Sequence, residues 1–307
     1  MAIYNNILET IGNTPIVRLK KIEELFELNV ELYAKLESFN PANNVKVRPA
    51  YEMIKRMYEE KIINDTYTLI ESTSGNTGIG IAMVGAYYGN KVIIVMPETV
   101  SKERIDVLKH YGAKVILTKG EEGIKGSDAK VEELLEEIYP SIKPSQFENP
   151  NNPLAHYINT AKEIDNDISD LDYLFSTVGT GGTVSGIGRY YKQIKKNVKI
   201  IAIEPAYSPV LSGGKKGPHK IQGIGPGFIP GNFKSEYVDE IIQVKDEDAY
   251  RITKLLPQIE GISAGISSGA CLSRVIDYVK EHKLSDKKIC MIFPDSGEKY
   301  FSTGVFE

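Results

Sequence analysis

Residues 67–89, YTLIESTSGNTGIGIAMVGAYYG, decide the fold. The first five read as a buried strand, 72–78 as a loop of small hydrogen-bonding residues, and 79–88 as an apolar helix stopped by Gly89. Strand, polar loop and helix in that order form one step of a parallel sheet, whose strands need helical crossovers. The step recurs. KVIIVM at 91–96 is the next strand, Ser101 caps a helix with Ile105 and Leu108 on one face, Gly112 ends it, and AKVILT follows as a further strand. A third step runs from the strand at 173–178 through GTGGT into a helix near 184–194 and on to the strand KIIAIE. The predicted class is α/β, with parallel-rich sheets flanked by helices. Nothing repeats at a fixed period, which excludes a solenoid.

The rest of the chain agrees with this class. Its 307 residues leave room for one large or two medium domains, and 41% hydrophobic with 25% charged residues is ordinary for a globular protein. The 37 Lys+Arg against 41 Asp+Glu give a net charge of −4, which offers no footprint for nucleic acid or an anionic membrane. Two cysteines and four histidines lack metal-ligand spacing, so no metal is expected. The N-terminus has no basic stretch followed by an apolar run, and a cytoplasmic location is expected. Residues 140–153, PSIKPSQFENPNNP, read as a crossing between lobes, and the Gly- and Pro-rich stretch 205–231 as a long ordered loop.

Three segments carry residue types suited to chemistry. Gly179, Thr180, Gly181, Gly182 and Thr183 lie between a strand and a helix, where N–H groups and hydroxyls can hold a phosphate. Val184 and Ile187 rule out the dinucleotide fingerprint and the P-loop, respectively. Residues 72–78 could hold a carboxylate in the same way, although both loops also read as capped turns. Lys46 follows turn residues and precedes Pro49 at a helix start; a lysine is usually a solvated charge, but one buried there can act as an amine nucleophile. A small-residue turn at 264–270 leads into another helix, and PDSGEKYFST lies near the end of the chain.

Taken together, IGNTPIVRL from Ile11, NPANNVKVRPA from Asn40, TSGNTG from Thr73, QFENP from Gln146, GTGGT from Gly179, IQGIGPGF from Ile221, GISSG from Gly265 and PDSGEKY from Pro294 resemble the cysteine synthases (O-acetylserine sulfhydrylases) over nearly the whole chain. The resemblance implies the two-domain, tryptophan synthase β-like fold (fold type II) of pyridoxal 5'-phosphate enzymes. It places a larger cofactor-binding domain at 1–45 and 150–307, and a smaller mobile domain with the carboxylate loop at 46–149. It further implies that Lys46 carries the cofactor as a Schiff base and acts as the catalytic amine. Residues 179–183 would bind the phosphate, Asn76 the ring hydroxyl and Ser267 the ring nitrogen. Thr73, Ser74, Thr77 and Gln146 would hold the substrate carboxylate, with Gly223 beside the bound amino acid. Asn232 is placed where the incoming nucleophile approaches, in competition with the simpler role of an asparagine that holds a turn.

The implied activity is β-replacement on O-acetyl-L-serine or L-cysteine through α-aminoacrylate. Release of hydrogen sulfide from L-cysteine is the alternative, and binding to serine acetyltransferase the non-enzymatic one. A homodimer is the implied assembly. A serine or threonine dehydratase shares the fold but usually carries a longer glycine run in its phosphate loop. Three departures bear on the substrate: Val47 stands where aspartate is usual, Asn43 and Asn44 where glycine and serine are, and Ser72 where proline often precedes TSGNTG.

Overall fold

The computed structural model describes residues 3–306. The chain opens with β1 (Ile16–Arg18), α1 (Lys20–Leu25) and β2 (Glu31–Leu36), then continues through α2 (Val47–Glu59), β3 (Thr68–Ser72), α3 (Asn76–Tyr88) and β4 (Lys91–Pro97). It follows with α4 (Lys102–His110), β5 (Lys114–Thr118), α5 (Gly123–Glu137), β6 (Ser141–Ile142), α6 (Asn151–Ala155), α7 (Ala161–Asp167) and β7 (Tyr173–Thr177). The last elements are α8 (Gly182–Gln193), β8 (Lys199–Pro205), β9 (Glu240–Val244), α9 (Asp246–Glu260), α10 (Ile266–Glu281) and β10 (Lys288–Phe293).

Two compact units result. The smaller joins the segment ending at Ile11 to Asn40–Asn152, and the larger joins Gly12–Phe39 to the chain from Pro153 onward. The boundaries differ from the expected ones at the N-terminal end for a physical reason: Leu8 is buried in the smaller unit's core and Ile11 packs on it. The 140–153 stretch ends where the chain passes from one unit to the other, after supplying β6 to the smaller unit.

The smaller unit holds a four-stranded parallel sheet in the order β5-β4-β3-β6. Leu69 and Ile94 belong to the core that also contains α2 and α3 residues, whereas Ile70, Ile93 and Val95 pack with Val131 and Leu134 of α5. Both faces of β3 and β4 are thus covered, which is why the strands read as apolar runs rather than alternating ones. The larger unit holds a six-stranded sheet in the order β1-β2-β10-β7-β8-β9, parallel except for β1. Between Pro205 and Ser235 no helix or strand forms, as expected for the long loop.

Candidate active site

In the smaller unit Lys46 is the residue immediately before α2, with helical φ/ψ, and its carbonyl accepts from Ala50 N–H at 3.0 Å. The turn leading to it is built by asparagines. Asn44 Oδ1 accepts from the Lys46 N–H (2.8 Å) while its amide donates to the Ala42 carbonyl (2.7 Å), and Asn43 takes a positive φ of 55°, a conformation asparagine tolerates. The departures at 43 and 44 therefore still make a tight turn before the lysine. Val47 is fully buried in the apolar core, so an aspartate's usual place has become a packing position.

The loop from β3 to α3 lies in the same unit. Thr73 Oγ1 accepts from the Gly75 N–H (3.2 Å), the Ser74 carbonyl accepts from Arg104 Nη1 (2.5 Å), and Thr77 Oγ1 donates to Gln146 Oε1 (2.6 Å). The structure thus joins Thr77 to Gln146, a residue 69 positions away, with both side chains buried. Asn76 is the first residue of α3 and half-buried. A helix start leaves N–H groups outside the helical ladder, and together with the hydroxyls and amide these suit a carboxylate. Sequence reasoning missed Glu71. Its carboxyl, 2% exposed, accepts from the Gln146 N–H at 3.3 Å, and burial pushes its pKa up to about 7. A carboxylate-bearing residue inside a strand covered on both faces was the available signal.

In the larger unit, residues 179–183 leave β7 and enter α8. A Cβ on Gly179 would lie 2.4 Å from the Gly223 carbonyl oxygen, and one on Gly181 2.6 Å from Phe233 Cα. Gly181 also has φ +81°, so glycine is required there twice over. The Gly225 N–H donates to the Val178 carbonyl (3.0 Å), which fastens the 221–227 stretch to the same loop. Gly182 N–H donates to Thr180 Oγ1 at 3.4 Å. Thr183 Oγ1 lies 3.2 Å from His156 Nε2, whose Nδ1 lies 2.9 Å from Thr160 Oγ1. His156 occupies a π-helical turn, His156–Thr160, that links α6 and α7. The sequence reading tested the histidines only as metal ligands and missed this orienting contact.

Asn232 is 2% exposed and adjoins Phe233, the residue seated against Gly181. Ser267 is buried in the first turn of α10. Cys271 and Cys290 are fully buried, and desolvation pushes both thiols up, Cys290 to about 12, which keeps them from acting as nucleophiles.

These features fit pyridoxal phosphate. A loop whose tight packing excludes side chains exposes backbone N–H groups at a helix start to a phosphate, and a buried hydroxyl at Ser267 can meet a ring nitrogen. The pyridoxal-phosphate dependent enzyme family matches residues 7–295. The cysteine synthase of Staphylococcus aureus is 44% identical over 98% of this chain and 97% of its own length. Among solved structures, the cysteine synthase of Entamoeba histolytica superposes with a TM-score of 0.96 at 41% identity, covering 99% of this chain and 91% of its own. A hydrogen sulfide-producing enzyme from Fusobacterium nucleatum gives 0.92 at 42% identity, covering 97% of this chain and 100% of its own. The fold is that of the fold type II enzymes of this group. The chain belongs to the pyridoxal-phosphate dependent enzymes and, within them, to the cysteine synthase family.

Proposed function

We propose that the protein replaces the β-substituent of a small L-amino acid, with O-acetyl-L-serine as donor and sulfide as acceptor. The observation that carries this reading is the Thr77–Gln146 hydrogen bond, which builds a buried polar cradle at the head of α3 in a chain similar to cysteine synthases along its length. Thr73, Ser74, Thr77 and Gln146 hold the substrate carboxylate through hydroxyl, amide and backbone N–H groups. The phosphate of the cofactor is held by Gly179, Thr180, Gly181, Gly182 and Thr183, with His156 orienting Thr183. Asn76 meets the ring hydroxyl and Ser267 the ring nitrogen, while Gly223 borders the amino acid. When bound, the cofactor supplies an electron sink for the charge that forms at Cα. Lys46 removes the Cα proton, the β-substituent departs with its bonding pair as acetate, sulfide adds at Cβ, and Lys46 returns the proton. A neutral serine opposite the ring nitrogen favours prompt loss of the β group over prolonged carbanion storage.

A second reading, in which L-cysteine is the donor and hydrogen sulfide is released, is favoured by the similarity to the Fusobacterium nucleatum enzyme. Mass spectrometry of products from L-cysteine alone, then from O-acetyl-L-serine with sulfide, decides between them. Cysteine from the second mixture with no turnover of the first supports synthesis, whereas serine and sulfide from the first support release. The same reading carries a cytoplasmic homodimer, and among the described residues no helix is long and apolar enough to span a membrane. The C-terminal tail of a serine acetyltransferase is a competing occupant of the carboxylate cradle. Sedimentation and competition by a peptide with a free C-terminal carboxylate test these two points.

A further inference from the structure

We propose that Glu71 is a positioning residue of the carboxylate cradle and takes up a proton as the substrate carboxylate enters. The inference rests on the reading of Thr73, Ser74, Thr77 and Gln146 as that cradle. Glu71 stands two residues before Thr73 on β3 and is 2% exposed. Its carboxylate accepts from the Gln146 backbone N–H at 3.3 Å. It therefore ties the strand that leads into the loop to the segment that carries Gln146, whose side chain in turn accepts from Thr77.

A second carboxylate brought to this cradle meets one already buried against the backbone of Gln146, a residue of the cradle itself. Two like charges in a desolvated site cannot both persist cheaply, so the buried one gains a proton. The groups around Glu71 leave that outcome available. On β4 its register partner is Ile94, which brings no charge. Lys143, just beyond β6, attracts its negative form, but that ammonium is shared with Glu132 of α5 at 3.0 Å and also feels Asp128 of α5. The neighbouring backbone N–H groups and Lys143 favour the ionised form, yet desolvation outweighs them, so the carboxyl sits at about 7, where a modest added field changes its state. Substrate affinity then falls as pH rises past that value, because the proton to be taken up becomes scarcer.

The test counts protons. L-Alanine carries the carboxylate and lacks a β leaving group, so it binds the holoenzyme without elimination. Calorimetric titration in two buffers of different ionisation enthalpy at about pH 7 gives protons exchanged per site for wild type and for Glu71→Gln. Exchange at the amino group is common to both proteins and cancels. Wild type should take up roughly half a proton more per site, since a carboxyl near 7 begins about half ionised. Equal counts from two proteins that both bind L-alanine overturn the proposal while leaving the cradle in place. If wild type gives no binding in cofactor absorbance, the cradle reading itself falls and takes this inference with it. If Glu71→Gln does not fold, infrared difference spectra of wild type decide: a new protonated-carboxyl C=O band on L-alanine binding supports uptake, and binding without one refutes it.

Discussion

At Gly179 and Gly181 an added methyl group would strike backbone, 2.4 Å from the Gly223 carbonyl oxygen and 2.6 Å from Phe233 Cα. At the loop after β3 the geometry is instead made by side chains that hold one another, Thr77 on Gln146 and Glu71 under the Gln146 N–H. The first loop is rigid because main chain packs on main chain, so it can present N–H groups to one phosphate in one way. The second depends on hydroxyl, amide and carboxyl groups, each of which can be removed singly and one of which titrates. A permanent ligand suits the first construction and a ligand that comes and goes suits the second.

The largest effect lies outside both loops and sets the scale. Lys46→Ala should lower turnover by roughly 10²–10⁴-fold, the usual worth of a positioned proton-transfer group, and should abolish the lysine-linked cofactor absorbance. Activity equal to wild type would remove the central reading. Next comes the glycine loop. Gly181→Ala forces a Cβ onto Phe233 backbone at φ +81°, a strain of about 1–3 kcal/mol before any repacking. The expected result is cofactor loss on dialysis with the smaller unit's fold intact. Full retention of cofactor would show that the loop is more pliant than its packing indicates.

Glu71 gives a pH signature that the glycine loop cannot. Its carboxyl holds its proton up to about 7 in the native protein against 4.5 ordinarily, so its contribution to stability is complete below 4.5 and is lost as pH rises through about 7. That interval corresponds to about 3 kcal/mol as an upper figure. Glu71→Gln should gain stability relative to wild type between about pH 4.5 and about pH 8. Denaturant unfolding of both proteins across this range checks it, and parallel pH profiles would contradict the buried-carboxylate account.

The same contrast explains what could be read in the sequence. Strand–loop–helix order and the glycines of 179–183 were legible because they report local backbone needs: α8 begins at Gly182 and β3 at Thr68, within a residue or two of the expected places. The helix after the 72–78 loop begins earlier than expected, at Asn76, because Asn76, Thr77 and Gly78 already form its first turn. By contrast, the Thr77–Gln146 bond spans 69 positions and the His156–Thr183 contact 27, and neither leaves a local pattern. The resemblance to cysteine synthases supplied Gln146; it supplied neither His156 nor Glu71. Strand β1, three residues long and antiparallel, was likewise too short to register as periodicity.

Two smaller effects separate the loops further. Thr77→Val and Gln146→Ala should each raise the substrate KM with less change in kcat, and the double variant should fall short of their sum by about 1 kcal/mol, the net worth of one buried hydrogen bond. Strict additivity would mean that the two side chains act separately. The smallest change expected is at Asn232. Its amide can orient water but cannot take a proton near neutral pH, whereas a carboxylate could. The site is 2% exposed, so desolvation would raise the pKa of an introduced aspartate toward neutrality and improve it as a base. Asn232→Asp should therefore shift the products of L-cysteine turnover toward serine by a few-fold, about 1 kcal/mol or less at the transition state. Asn232→Ala separates this from loop support, because it removes the amide without adding a base. If both variants give the wild-type serine fraction, position 232 supports the turn against Gly181 and has no part in choosing the nucleophile.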